Sequence, residues 1–250
     1  MFALGSNLFH HSAFEFQIEK MYNMPSVKVQ MLPEKFLEDI GTILKRQEPL
    51  PSGMRQHVLY LTGMVGVGKT TVAEILSQRW RTIVVPEFLD PAPDRVILTR
   101  PEHPLQERIA AQLWTLEQHM KKNTIVRERS GTVIVDRTWL DSVFYSTIYG
   151  TEVVSCVLNE SKNHDWAPGL YTVFIADTDT VRQRLSPRLG ISESEWRKSW
   201  SSFVAKLRSS AVEIAVKTGV MVIDTSRSTP EESAHIIESE FNKHYQLNVI

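Results

Sequence analysis

Three glycines run into a lysine and two threonines: Gly63, Gly66 and Gly68, then Lys69, Thr70 and Thr71, in the stretch GMVGVGKTT. From Gly63 to Thr70 the spacing is G-x-x-x-x-G-K-T. Glycine permits backbone angles that turn successive N–H groups into one concavity, where an anion replaces the water they would otherwise need. A lysine placed directly after such a loop reaches the outer phosphates of a polyphosphate, and a following hydroxyl ligates Mg2+. Gly63, Val65, Gly66, Val67, Gly68, Lys69, Thr70 and Thr71 are therefore expected to cradle a nucleoside triphosphate, with Lys69 at the reacting end and Thr70 on the metal. The competing reading is a glycine-rich turn that binds nothing. The flanks argue against it, since the apolar run Val58 to Leu61 precedes the loop and a helical stripe of Val72, Ile75 and Leu76 follows it.

Further chemistry stands at the ends of other apolar runs. Thr82 to Val85 reads as a strand that ends at Pro86, so Glu87 sits just beyond a carboxyl end. In open parallel sheets that edge faces the ligand crevice. Glu87 then reads as a general base for an acceptor hydroxyl, as a partner of a magnesium ion, or as an exposed loop acid. Thr132 to Val135 is a further strand, closed by Asp136. An apolar strand ending in Asp can hold the Mg2+ of a phosphate-binding loop. Arg137 beside it can clamp the substrate or the phosphoryl group in transfer, unless Asp136 and Arg137 are only a structural pair at a helix start. After the strand Leu170 to Ala176, a helix from Asp177 to Leu189 carries Arg182, Arg184 and Arg188. Residues 182 to 192 are expected to form a lid whose arginines neutralise the triphosphate and exclude water; a solvated basic face is the alternative. Gln106 and Gln112, on a helix from Leu105 to Lys122, are weaker candidates for reading a base edge.

The remaining elements complete an alternating order. Glu193 to Lys217 reads as a long helix in which Trp196, Trp200 and Phe203 are core, Val220 to Ile223 as a fifth strand, and Pro230 to Phe241 as a helix capped by Thr229. Strands alternating with helices predict a parallel sheet covered on both faces. Before the loop, Pro33 to Lys45 has a helical apolar face, and Pro49, Pro51, Ser52 and Gly53 read as a linker. The expected division is an N-terminal helical extension over residues 1–55 and a nucleotide-binding domain over 56–250. The extension reads as an arm against that domain, a contact between two copies of the chain, or a partner-binding element.

A length of 250 residues, 42% of them hydrophobic, suits one α/β domain with an appendage. The formal net charge of −1 gives no general attraction to nucleic acid or acidic membranes. Cys156 is the single cysteine, which excludes an intrachain disulfide and fits a reducing compartment. It lies in the apolar run VVSCVL and reads as packing. His10 and His11 lack the further ligands a metal site needs. No apolar run is long enough to span a bilayer, and the first residues resemble neither a signal nor a transit peptide, so a cytoplasmic location is expected.

From about Val58 to Phe241 these residues resemble the nucleoside and nucleoside-monophosphate kinase group of P-loop proteins. GMVGVGKTT, Pro86–Glu87, Asp136-Arg137-Thr138, RQRLSPR and IDTSRSTPEE carry the likeness. The resemblance implies a three-layer α/β fold with a five-stranded parallel sheet, Mg-ATP as donor, a closing lid, and an acceptor site opposite the loop. Val65, Glu87 and Asp136-Arg137-Thr138 resemble deoxynucleoside kinases. By that likeness Glu87 is the base on a nucleoside 5′-hydroxyl, Arg137 stabilises the transferring group, and Arg184 and Arg188 are lid arginines. Phe88, where proline is usual, and Ser142, where a sugar-binding Asp is often found, depart from that branch. Asp136-Arg137, Ser142 and Tyr145 are similar to the thymidylate kinase signature, as is Pro168 to Asp177. Val65 and Pro86 depart from that one, since they stand where an acid and an Arg are usual. The expected activity is ATP-dependent phosphoryl transfer to a nucleoside hydroxyl. Its rivals are a nucleoside monophosphate, another small acceptor or a polynucleotide end, and a nucleotide-dependent switch whose N-terminal segment contacts a partner.

Overall fold

A computed structural model of the chain describes residues 32–45, 56–94 and 101–247. The readings for His10 and His11 and for the breaker cluster from Pro49 to Gly53 lie outside the described residues.

The elements run α1 (Glu34–Lys45), β1 (Gln56–Gly63), α2 (Lys69–Trp80), β2 (Ile83–Val85), α3 (Leu105–Arg127), β3 (Gly131–Asp136), α4 (Trp139–Tyr149), α5 (Thr151–Lys162) and β4 (Leu170–Ile175). After β4 come α6 (Thr178–Leu189), a helical turn at Glu193–Glu195 that widens into a π-helix over Trp196–Trp200, α7 (Ser201–Thr218), β5 (Met221–Asp224) and α8 (Pro230–Tyr245). The strands form one five-stranded sheet in the order β2-β3-β1-β4-β5, every pairing parallel. Val58, Leu59 and Leu61 on the central strand are fully buried, which is why β1 reads as a continuous apolar run rather than an alternating one.

Helices cover both faces, as the alternation requires. α2 and α8 pack together on one side, and α3, α4, α5 and α7 pack on one another on the other. α1 rests on α5 and α7 and buries Leu37, Ile40 and Ile43. Thr229 caps α8 and accepts from the Glu232 N–H, while Trp196, Trp200 and Phe203 lie in the core. α5 buries Val153, Val154, Val157 and Leu158 at helical spacing, but α4 before it has no counterpart in the apolar periodicity. α4 is buried along nearly its whole length, so no polar face exists to give the sequence a helical period. Among the described residues no helix is long and apolar enough to cross a membrane.

The register aligns the functional ends. Leu61 of β1 stands opposite Asp136 of β3, and Gly63 stands opposite Phe174 of β4. The loop after β1 and the exits of β2 and β3 therefore open at one carboxyl edge.

Candidate active site

The loop from Gly63 to Gly68 hands the chain from β1 to α2. Gly68 precedes α2 in the left-handed region, with φ 85°, so the first-turn N–H groups of α2, which lack intrahelical acceptors, face the edge of the sheet. Gly63 has φ 121°, and a Cβ there would meet the Phe174 carbonyl oxygen at 2.2 Å. Its N–H donates to Asp141 Oδ1 at 3.0 Å, so this amide holds a neighbouring side chain rather than facing the loop cavity. Lys69 is buried, and its Nζ donates to the carbonyls of Met64 at 2.6 Å and Gly63 at 3.2 Å. Burial, reinforced by the charge of Arg137, lowers the Lys69 pKa to about 8.

Thr70 Oγ1 donates to Asp136 Oδ2 at 2.8 Å, joining the first turn of α2 to the end of β3. Asp136 Oδ1 is buried and makes no hydrogen bond among the described residues. Arg137 follows with φ 64°, a left-handed conformation that costs a residue with a Cβ ~1–3 kcal/mol and tends to collect at functional sites. Its buried guanidinium places Nε 2.5 Å from Glu87 Oε1 and Nη1 3.2 Å from Asp141 Oδ1. Nη1 also donates to the Tyr145 hydroxyl at 3.2 Å. Burial raises the Glu87 pKa, the nearby Arg137 charge opposing it in part. Burial likewise pushes Tyr145 up to about 12.

Asp141 is the site residue that the sequence reading passed over. Its carboxylate accepts from Thr62 Oγ1 at 2.6 Å, from the Thr138 N–H at 2.8 Å, from Gly63 and from Arg137. The signal was present, since Thr138-x-x-Asp141 before an apolar run is a capping box, and α4 begins with one. Ser142, beside it, is fully buried as well.

A cleft of about 310 Å³ gathers Val65, Gly66, Gly68, Lys69, Thr70, Thr71, Glu74, Glu87, Asp136, Arg137 and Arg188. A second, of about 240 Å³, shares Gly66, Gly68, Thr71 and Arg188 with it and continues to Val67, Arg184, Thr225, Ser228 and Ser233. Arg184 donates to Thr225 Oγ1 and to the Thr225 carbonyl, each at 2.9 Å, tying α6 to the loop after β5. Arg182 does not join them, because it pairs with Glu193 at 3.0 Å. Gln106 is exposed, whereas Gln112 is buried and its Oε1 makes no hydrogen bond among the described residues.

Among the described residues no group of three or more His, Cys, Asp or Glu side chains could hold a metal by itself. A magnesium ion carried in on phosphates fits this site: it needs few protein ligands, and a threonine hydroxyl beside a carboxylate with one unengaged oxygen supplies hard oxygen donors.

This sheet order, with the glycine loop at its central strand, is the fold of the P-loop nucleoside and nucleotide kinases. The chain belongs to a family described as an AAA domain, whose model matches residues 58–218. Among solved structures it is similar to a deoxyadenosine kinase from M. mycoides with the products dCMP and dCDP bound, at 16% identity and a TM-score of 0.57, covering 74% of this chain and 99% of that one. A thymidylate kinase from Candida albicans matches at 18% identity and a TM-score of 0.53, covering 78% and 95% of the two chains. A NadR protein in complex with NR matches at 13% identity and a TM-score of 0.55, covering 78% of this chain and 53% of that one. No curated protein matches by sequence. Similarity at these identities establishes the fold.

Proposed function

We propose that the protein is an ATP-dependent phosphotransferase whose acceptor is the hydroxyl of a nucleoside. The observation that carries this reading is the ion pair of partly buried Glu87 with buried Arg137, 2.5 Å apart, which lines the same cleft as Lys69, Thr70 and Asp136. A protein that only bound a nucleotide would have no use for a base at that position, and one that hydrolysed it would turn the same base on water, so it is the labelled acceptor that separates transfer from hydrolysis. The donor triphosphate lies along the loop and the first turn of α2, its γ-phosphoryl toward Glu87 and its base in the second cleft, between α6 and Ser228. Glu87 takes the proton of the acceptor hydroxyl as its oxygen bonds to the γ-phosphorus, while the bond to the β–γ bridging oxygen breaks and the diphosphate leaves. Lys69, Arg137 and Arg188 balance the charge spread over the transferring group. Thr70 and Asp136 would hold Mg2+, which would neutralise phosphate oxygens. Arg184 fixes α6, and hence Arg188, against the β5 loop.

Charge balance favours a nucleoside over a nucleoside monophosphate. Among the described residues lining the phosphate cleft, Lys69, Arg137 and Arg188 stand against Glu74, Glu87 and Asp136. The acceptor-side cation, Arg137, is already paired with two carboxylates, Glu87 and Asp141. An acceptor phosphate would bring a second anionic group beside the transferring one, whereas an uncharged hydroxyl would not.

The test is transfer from γ-labelled ATP to a panel of deoxynucleosides, ribonucleosides, their monophosphates and 5′-hydroxyl oligonucleotides. Label is expected on nucleosides and absent with Lys69→Ala. Label on monophosphates alone would replace the acceptor, and tight ATP binding without any labelled acceptor would overturn the reading in favour of a switch.

A further inference from the structure

Lys122 stands outside both clefts, yet it touches the backbone of three residues of the proposed site. It lies on α3, is 1% exposed, and donates from Nζ to the carbonyls of Glu87 at 3.0 Å, Asp136 at 2.7 Å and Arg137 at 2.8 Å. An ammonium has three hydrogens, and three carbonyls receive them. Those carbonyls belong to two separate strand exits, one after β2 and one after β3. Two of them flank the left-handed turn at Arg137, a backbone state that a side chain disfavours unless its surroundings hold it.

We propose that Lys122 is a positioning residue for phosphoryl transfer, setting the base Glu87, the metal-side Asp136 and Arg137 relative to one another through their main-chain carbonyls. The inference rests on the function proposed above. A lysine needed only for packing would not have to converge on these three peptides. Its hydrocarbon stem could be replaced by any apolar chain without consequence for the site, and its charge needs no burial to be soluble. With the ammonium removed, three buried carbonyls lose their donor at once, and the Glu87 loop is no longer tied to the end of β3. Displacements near 1 Å between reacting groups are enough to cost ~10²-fold in turnover.

The experiment uses the full chain with the acceptor found in the labelled-transfer assay. Active sites are counted by nucleotide binding, and kcat is read per site. Lys122→Met, of similar length and without donors, is expected to lower kcat by about 10–100-fold while donor affinity stays within about threefold. Should the Met variant fail to fold, Lys122→Arg answers the same question. It keeps the charge, but its planar fork cannot reproduce the three directions of an ammonium, and kcat is expected to fall about tenfold. A variant that binds nucleotide and turns over at the wild-type rate overturns the proposal. If the wild-type chain binds ATP and labels no acceptor, the function falls and this role falls with it. Transfer by the wild type with an unaffected variant removes this role alone.

Discussion

Replacing Glu87 by Gln removes one charge and one proton acceptor at constant shape, and the structure separates the two consequences. For the chemistry, loss of a general base costs about 10²–10⁴-fold in kcat. That is a rise of ~2.7–5.4 kcal/mol in the barrier at 1.36 kcal/mol per decade. For stability the expectation is different. Arg137 loses its partner at 2.5 Å but keeps Asp141 and Tyr145, each at 3.2 Å. Burial already disfavours the charged form of Glu87, which is what its raised pKa records. Relief of that penalty offsets much of the lost pair, so unfolding should shift by less than about 1 kcal/mol, or ~2–4 °C for a chain of this size. The pH dependence follows the same sign. Glu87 must be ionised to act, so the acid limb of kcat/KM is expected above the ordinary carboxylate range and should vanish in the variant. In the folded protein Glu87 holds its proton to higher pH than when unfolded. Its contribution to stability is therefore full below the unfolded pKa and is lost as pH rises through the folded one. The assays are steady-state transfer from γ-labelled ATP across pH, calorimetric nucleotide titration and urea unfolding. Wild-type turnover in Glu87→Gln, or a kcat loss matched by an equal loss of nucleotide affinity, would refute the base assignment.

Other substitutions probe the donor side and the frame. Lys69→Ala should abolish detectable transfer while leaving the far-ultraviolet spectrum unchanged, because Lys69 donates only to loop carbonyls within its own turn. Asp141→Asn leaves one acceptor oxygen where two served four donors, and should cost ~3–5 kcal/mol, seen as a lower urea midpoint at constant slope. Gly63→Ala should prevent accumulation of folded protein, since the new Cβ would lie 2.2 Å from the Phe174 carbonyl oxygen. Gly68→Ala meets nothing within 4 Å and should cost only the strain of its positive φ, ~1–2 kcal/mol by thermal unfolding.

The parts of the site that were legible in the sequence are those written in local spacing. The glycine loop needs only its neighbours to form, and the strand before it and helix after it each show their own period. Glu87 and Arg137 lie fifty positions apart by number, yet both follow apolar runs, and a parallel sheet brings such ends to one edge. Arg182 was misgrouped for a reason visible in helical geometry. At 100° per residue it lies about 200° from Arg184, whereas Arg184 and Arg188 are only about 40° apart. Asp141 announces itself as a helix cap, but its grip on Gly63 depends on how α4 settles against β1, which no local pattern encodes. Lys122 falls on the face of its helix opposite the apolar stripe of Ile109, Leu113, Leu116 and Met120, where a lysine ordinarily reads as solvated. Its burial follows from the tertiary convergence of two strand exits on that one turn.

The carboxylate of Asp141 holds the first amide of the phosphate loop with one hand and Arg137 with the other. Donor and acceptor sites built around such a shared anion do not fill independently. A triphosphate that draws the loop toward itself changes how firmly Asp141 restrains Arg137, and so changes the affinity for the acceptor. By linkage the acceptor must alter donor affinity by the same factor. The two substrates are thus expected to bind interdependently, each apparent dissociation constant shifting with the concentration of the other, and Asp141→Asn should make their binding independent.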